Sequence, residues 1–221
     1  MHGSAAYICF RWLGWSSPTL LISGDAVIDQ SFALAPGFRA LPGGNDPWGT
    51  AIRAAAAGAE PGSVFWDGAQ GRCRAAFVFA PDRPLTAGLV LDLGALALFD
   101  AIAVLAPPQV PVHLLPPDGL AVDGGRVATL RTTEAPAGAD GVPDWAVLGI
   151  DAAVSSGMAA PGETPDQTFL TEEGFGDVTP ADLLMHMSRH LLGWLDVWRE
   201  DGAAALAGAV MQRAAPAAVA A

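Results

Sequence analysis

The chain of 221 residues contains no lysine, and all eleven of its basic residues are arginine. Set against 23 acidic residues, this gives a formal net charge of −12. No basic stripe is available for phosphate contacts, so nucleic acid is excluded as an expected partner. Ala, Gly, Pro and Arg are abundant while Lys is missing, the usual signature of a GC-rich coding sequence. Cysteine is nearly absent too. Cys9 and Cys73 form no Cys-x-x-Cys pair and neither lies beside a histidine cluster, which removes zinc and dithiol chemistry and makes a reduced, cytoplasmic protein the expectation. In the first thirty-five residues the apolar stretches are broken by Arg11, Ser16-Ser17-Pro18 and Asp25. None approaches the roughly 20 residues of a membrane span. The segment also lacks the basic start and small-residue cleavage site of a signal peptide. It reads as an atypical or disordered extension (1–35) ahead of a single domain (36–213), with a flexible tail (214–221). No membrane partner is expected. What is present in quantity is apolar surface, 52% of residues, enough for a full core without disulfides.

The elements follow from punctuation and periodicity. Asp46 as N-cap and Pro47 at the first position start a helix that runs through an alanine-rich stretch to about Ala59. Ser63–Trp66 and Arg72–Phe79 read as two strands joined by the Asp67–Gly71 turn. Leu85–Leu105 is apolar, interrupted only by Asp92 and Asp100, and predicts a buried helix from about Thr86, stopped by Pro107-Pro108. Val110–Leu115, Leu120–Val122 and Arg126–Arg131 are short strands. Asp144–Val154 is apolar through its centre, as a central strand should be. Ser155–Gln167 is a polar loop. Thr179, Pro180 and Asp182 open a helix whose Leu183, Leu184, Met187, Leu191, Trp194, Leu195 and Trp198 share one face, and Asp201-Gly202 ends it. An alanine-rich helix follows to about Arg213. This order predicts an α+β domain, one mixed or antiparallel sheet backed by helices.

Three stretches carry the chemistry-bearing residues. In Gly68-Ala69-Gln70-Gly71-Arg72-Cys73-Arg74, the two arginines are two apart on a strand and share one face. Their forked donors suit phosphate or carboxylate. In Val112–Leu130, a Pro-Pro-Asp-Gly turn and an Asp-Gly-Gly turn separate three apolar runs. His113 shares a face with Leu115, two residues on, from which it can donate to a carboxylate. Val147-Leu148-Gly149-Ile150-Asp151 ends an apolar strand on a carboxylate.

The order and spacing of these stretches, from about Gly43 to Arg213, resemble the biotin/lipoate A/B protein ligases. The family's central motif is Lys-Trp-Pro-Asn-Asp, three apolar residues, x-Gly-x-Lys, then apolar-Ala-Gly-Ile. A gapless match lays Leu115 on the family's catalytic lysine, Pro116 on its tryptophan, Asp118 on its asparagine and Gly119 on its aspartate. Arg126 falls at or beside the second lysine and keeps its charge. Gly71-Arg72-x-Arg74 resembles the core of the Gly-Arg-Gly loop that folds over the acyl-adenylate. Gly149 and Asp151 match the family's Gly-Ile-Gly-Ile-Asn strand, in which the glycine admits the ligand to the backbone and the polar end meets phosphate or Mg²⁺.

The resemblance implies a class II aminoacyl-tRNA synthetase/biotin ligase-like mixed sheet packed by helices. It implies ATP and Mg²⁺ as cofactors, with biotin, lipoate or octanoate as the acid and a biotinyl or lipoyl carrier domain as acceptor, and it allows a homodimer. Arg72, Arg74, His113, Asp118, Arg126 and Gly149 would bind ligand and nucleotide, and Asp151 would hold the metal. No helix-turn-helix pattern precedes the domain and no β-barrel's worth of residues follows Arg213, so the expectation is a catalytic core alone. With Leu115 in place of the lysine, two rivals stand beside the ligase. One is a ligase-fold protein that binds an acyl ligand, acyl-adenylate or carrier domain without turnover. The other is an ATP-independent octanoyl or lipoyl transferase using Cys73, which two flanking arginines would favour as thiolate.

Overall fold

The fold was read from a computed structural model that describes residues 33–156 and 166–216; nearly all of the atypical N-terminal stretch and most of the loop after Ser155 lie outside these. The elements run β1 (Arg39–Pro42), α1 (Pro47–Ala56), β2 (Ser63–Trp66), β3 (Arg72–Phe79), α2 (Ala87–Leu105), β4 (Val112–Leu115), β5 (Gly119–Val122), β6 (Gly125–Glu134), β7 (Ala146–Ala153), α3 (Pro180–Asp201) and α4 (Ala203–Arg213). The strands form one sheet in the order β1-β2-β3-β7-β6-β5-β4. Only β1 and β2 pair in parallel; every other neighbour is antiparallel, so the sheet is mixed.

Local chemistry sets the helix starts. Asp46 accepts from the Gly49 amide at 3.0 Å ahead of Pro47, and Thr86 accepts from the Leu89 amide at 3.3 Å. Thr179 and Asp182 form a reciprocal capping box, with bonds of 3.1 and 3.0 Å. At the other end of α3, Gly202 takes φ 81°, a left-handed backbone that glycine adopts without a Cβ penalty.

Strand alternation divides the sheet into two faces. On the back, Ala75, Phe77, Leu130, Leu148 and Ile150 pack with Leu93, Leu96, Leu98 and Ile102 of α2 and with Leu183, Leu184, Met187 and Leu191 of α3. Ten residues of α2 are buried here, which accounts for a composition apolar enough, by length and a mean hydropathy of 2.1, to cross a membrane. On the front, α1 lays Ala51 and Ala55 against Phe65, Ala76, Val78 and Val147. The helix therefore covers β2, β3 and β7.

Three expectations differ from what the structure shows. The strand β1 was not anticipated: its four residues end in proline and are half-exposed, and only its long-range pairing with β2 makes it a strand. Strand β6 extends to Glu134, because β7 supplies partners along its whole length. At the tail, Ala214 and Ala215 are not free. Ala214 bridges Leu114 in parallel and the Ala215 amide donates to the Leu114 carbonyl at 2.9 Å, shielding part of the β4 edge.

Candidate functional site

Cross-strand register sets the front-face residues in rows. Leu115 lies opposite Gly119, Gly119 opposite Thr129, Thr129 opposite Asp151, and Asp151 opposite Arg74. One row along, Arg131 lies opposite Gly149, which lies opposite Ala76. Neighbouring strands are about 4.8 Å apart, and successive same-face residues about 7 Å. The stretches singled out from the sequence therefore converge on one surface.

Among the described residues, that surface is uncovered where α1 ends. Strand β6 is interior, flanked by β7 and β5, yet Thr129 and Arg131 on its front are exposed while Ala128 and Leu130 on its back are buried. At the boundary stands Trp48, at the start of α1, with the Arg131 guanidinium over its indole at 4.6 Å from the ring centroid.

The arginines differ in how their charge is used. Arg72 reaches across to β7 and binds Asp151 Oδ1 through both Nε and a terminal nitrogen, each at 2.7 Å, with about two-fifths of each side chain exposed. Arg74 donates from Nε to Asp67 Oδ2 at 2.5 Å. Asp67 is almost fully buried and also accepts from the Ala69 amide at 3.0 Å, so Arg74 braces the β2–β3 turn. Arg126 faces Asp118 at 3.7 Å, and its guanidinium lies against Gly119, where a side chain would collide with it. Arg131 faces no carboxylate within ion-pair distance among the described residues. His113 and Leu115 are half-buried on the front of β4, which has only β5 and the short tail beside it.

One expectation needs correction, and one glycine meets a side chain of the protein itself. At Gly149 the Trp48 indole stands over the backbone. A Cβ there would lie 2.6 Å from Trp48 Cε3, 2.9 Å from Trp48 Cζ3 and 3.1 Å from Arg131 Cγ, so the glycine makes room for the indole. Cys73 is not poised as a thiolate. Its neighbours Arg72 and Arg74 point to the front and are paired with Asp151 and Asp67, whereas Cys73 is fully buried in the helix-covered core. Burial pushes its thiol far above the ordinary range, and Asp67 and Asp151 push it the same way.

For metal, no group of three or more His, Cys, Asp or Glu side chains comes together among the described residues. Both contacts of Arg72 fall on Asp151 Oδ1. Asp151 is thus a single carboxylate already sharing its charge, and it can hold Mg²⁺ only jointly with oxygens from a ligand. Trp48, Thr129 and Arg131 were missed from the sequence. The one available signal was an arginine following Leu130 in a strand that alternates inward and outward.

Beyond α1, then, an interior strand of an α+β scaffold exposes one face, with Arg72, Arg74, Arg126 and Arg131 distributed around it. The sequence pattern of the Biotin/lipoate A/B protein ligase family matches residues 35–212, and the chain belongs to that family. Among solved structures, a biotin protein ligase-like protein of unknown function from Silicibacter sp. TM1040 is 33% identical, with a TM-score of 0.72 over 83% of this chain and 81% of that one. The biotin protein ligase from Aquifex aeolicus is 15% identical, with a TM-score of 0.61 over 74% of this chain and 72% of that one. The biotin protein ligase from Leishmania major in complex with biotin is 17% identical, with a TM-score of 0.53 over 82% of each chain. The fold is that of these neighbours, and in this chain the described residues form a seven-stranded mixed sheet with four helices. No curated protein matches the chain.

Proposed function

We propose that the open half of the front face binds a biotin- or lipoyl-type acid and ATP, and that the protein activates the acid for transfer to a lysine of a carrier domain. The observation that carries this reading is the exposure of Thr129 and Arg131 on an interior strand, with Thr129 opposite the Asp151 that pairs with Arg72, and Arg126 three residues back along the strand. In the first step a carboxylate oxygen forms a bond to the α-phosphorus and pyrophosphate leaves, giving an acyl-adenylate. In the second the carrier amine attacks the acyl carbon, loses its proton, and AMP leaves. Arginine forks suit the phosphate and carboxylate oxygens of both steps. Mg²⁺ would rest mainly on nucleotide oxygens with Asp151 as its one protein carboxylate. Biotin and ATP as ligands are in keeping with the Aquifex aeolicus biotin protein ligase solved in complex with both.

A second reading, a ligand-holding protein without turnover, is favoured by Leu115. The row that ends on it carries no cation at that end apart from Arg126, which already faces Asp118. Acyl transfer through Cys73 draws no support, since that thiol is buried behind the sheet.

ATP–pyrophosphate exchange with biotin, lipoate and octanoate offered separately, with Mg²⁺ present, tests the proposal. Exchange with one acid, lowered on the order of 10²-fold in Arg72→Ala or Arg126→Ala, supports adenylation. No exchange from folded protein with any of the three sinks it and leaves the binding reading.

A further inference from the structure

On the front face each of Arg72, Arg74 and Arg126 meets an aspartate. Arg131 does not, and three features hold it in place regardless. Its strand is fixed between two others, its guanidinium lies on the Trp48 indole, and its Cγ packs over Gly149. An indole beneath a guanidinium restrains the planar fork while leaving its N–H edge free to bond in the ring plane. Arg53 and Arg189 are likewise exposed without an ion pair among the described residues; what sets Arg131 apart is its seat on the Trp48 indole and against Gly149. Arg131 stands where no described element covers the front of the sheet, about 7 Å along the strand from Thr129 and the Asp151 row.

From this we infer that Arg131, seated on Trp48, is an anion-binding residue of the front face, taking carboxylate or phosphate oxygens of the ligand by a forked, charge-assisted contact. The inference rests on the reading of this face as the ligand floor. It adds the residue that the aspartates leave available, and it puts the cation at the α1 boundary, with Leu115 at the far end of the neighbouring row.

The test follows the indole N–H resonances in nitrogen-15-labelled protein, with the Trp48 signal identified by its loss in Trp48→Phe. The probes are octanoate and lipoate as carboxylates, AMP and inorganic pyrophosphate as phosphates, and octanamide as the uncharged control. The expected result is a Trp48 shift with at least one anion and none with octanamide. Arg131→Leu should weaken that binding about 10–100-fold, and Arg131→Lys should recover part of it. Loss confined to the acids would assign the site to carboxylate, and loss confined to AMP and pyrophosphate would assign it to phosphate. Equal binding by wild type and a folded Arg131→Leu would overturn this inference and leave the proposed function standing on Arg72 and Arg126. Failure of every anion to move Trp48 would overturn it as well. Anion binding that depends on Arg131, without any ATP–pyrophosphate exchange, would uphold it while the adenylation reading fell.

Discussion

Replacing Gly149 by alanine tests how the edge of the α1-covered part of the sheet is built. The new Cβ would stand 2.6 and 2.9 Å from two ring carbons of Trp48, and 3.1 Å from Arg131 Cγ. The arginine stem can rotate away, but the indole is a rigid plate and has to move by about an ångström to reach ordinary contact. Forcing such a group into packed surroundings costs about 1–3 kcal/mol. Against this, alanine in a strand interior is favoured over glycine by about 0.5–1 kcal/mol. The net expectation is a loss of up to about 2.5 kcal/mol. At roughly 2–4 °C per kcal/mol for a domain of this size, the melting temperature should fall by up to about 10 °C. The decisive measurement is the same substitution made in a Trp48→Ala background. With the ring gone, Gly149→Ala should turn neutral or stabilising, a coupling of about 1–3 kcal/mol in the double-mutant cycle. An equal cost in both backgrounds would refute the argument that glycine is required at 149 by the indole, and would return the position to the ligand.

Three further outcomes are expected. Burial raises the Asp92 carboxyl above its ordinary value of 3.8, on the rim of a cavity of about 240 Å³ lined mainly by Leu91, Ala95, Leu114, Pro116, Pro117 and Val210. The fold favours the neutral acid, so its contribution is complete below the unfolded value and is lost as pH rises through the folded one. Asp92→Asn should therefore raise the melting temperature at pH 7 and not at pH 3, by roughly 0.5 kcal/mol or less for a group this well solvated; an equal gain at both pH values would contradict the cause. Thr179→Ala removes the hydroxyl that caps α3 at 3.1 Å and should cost about 0.5–2 kcal/mol in denaturant unfolding; an unchanged midpoint would refute the cap's contribution. Leu115→Lys, at a half-buried edge-strand position on the front of the sheet, should raise ATP–pyrophosphate exchange on the order of 10²–10³-fold. A folded variant with no rise would mean that charge does not develop at that end of the row.

Much of the element list was legible because it rests on local chemistry. Asp46-Pro47, Thr86 and Thr179-Pro180 mark helix starts wherever they fold, and β3 and α2 were delimited by turn residues and proline within a residue or so. The order and spacing of the stretches around Arg72, Asp118–Arg126 and Asp151 resembled one family, and the family match over residues 35–212 bears that out. The strand β1 was not legible, since a four-residue Arg-Ala-Leu-Pro segment has no pattern of its own until β2 lies beside it. The uses of the individual arginines were equally hidden. Arg72 and Arg74 look equivalent in sequence, yet one spans to Asp151, 79 residues away, and the other closes its own turn on Asp67.

Sequence alone determined the acidic, lysine-free character of the chain, the helix caps, the alternation that gives the sheet its two faces, and the family. Those depend on residue identity and short-range spacing. Only the tertiary structure decided that Cys73 is sealed behind the sheet, that Gly149 serves Trp48, and that Arg131 is left on the open face without a carboxylate. Each of these depends on which strand lies next to which and on where α1 stops covering the sheet, contacts made between residues tens of positions apart.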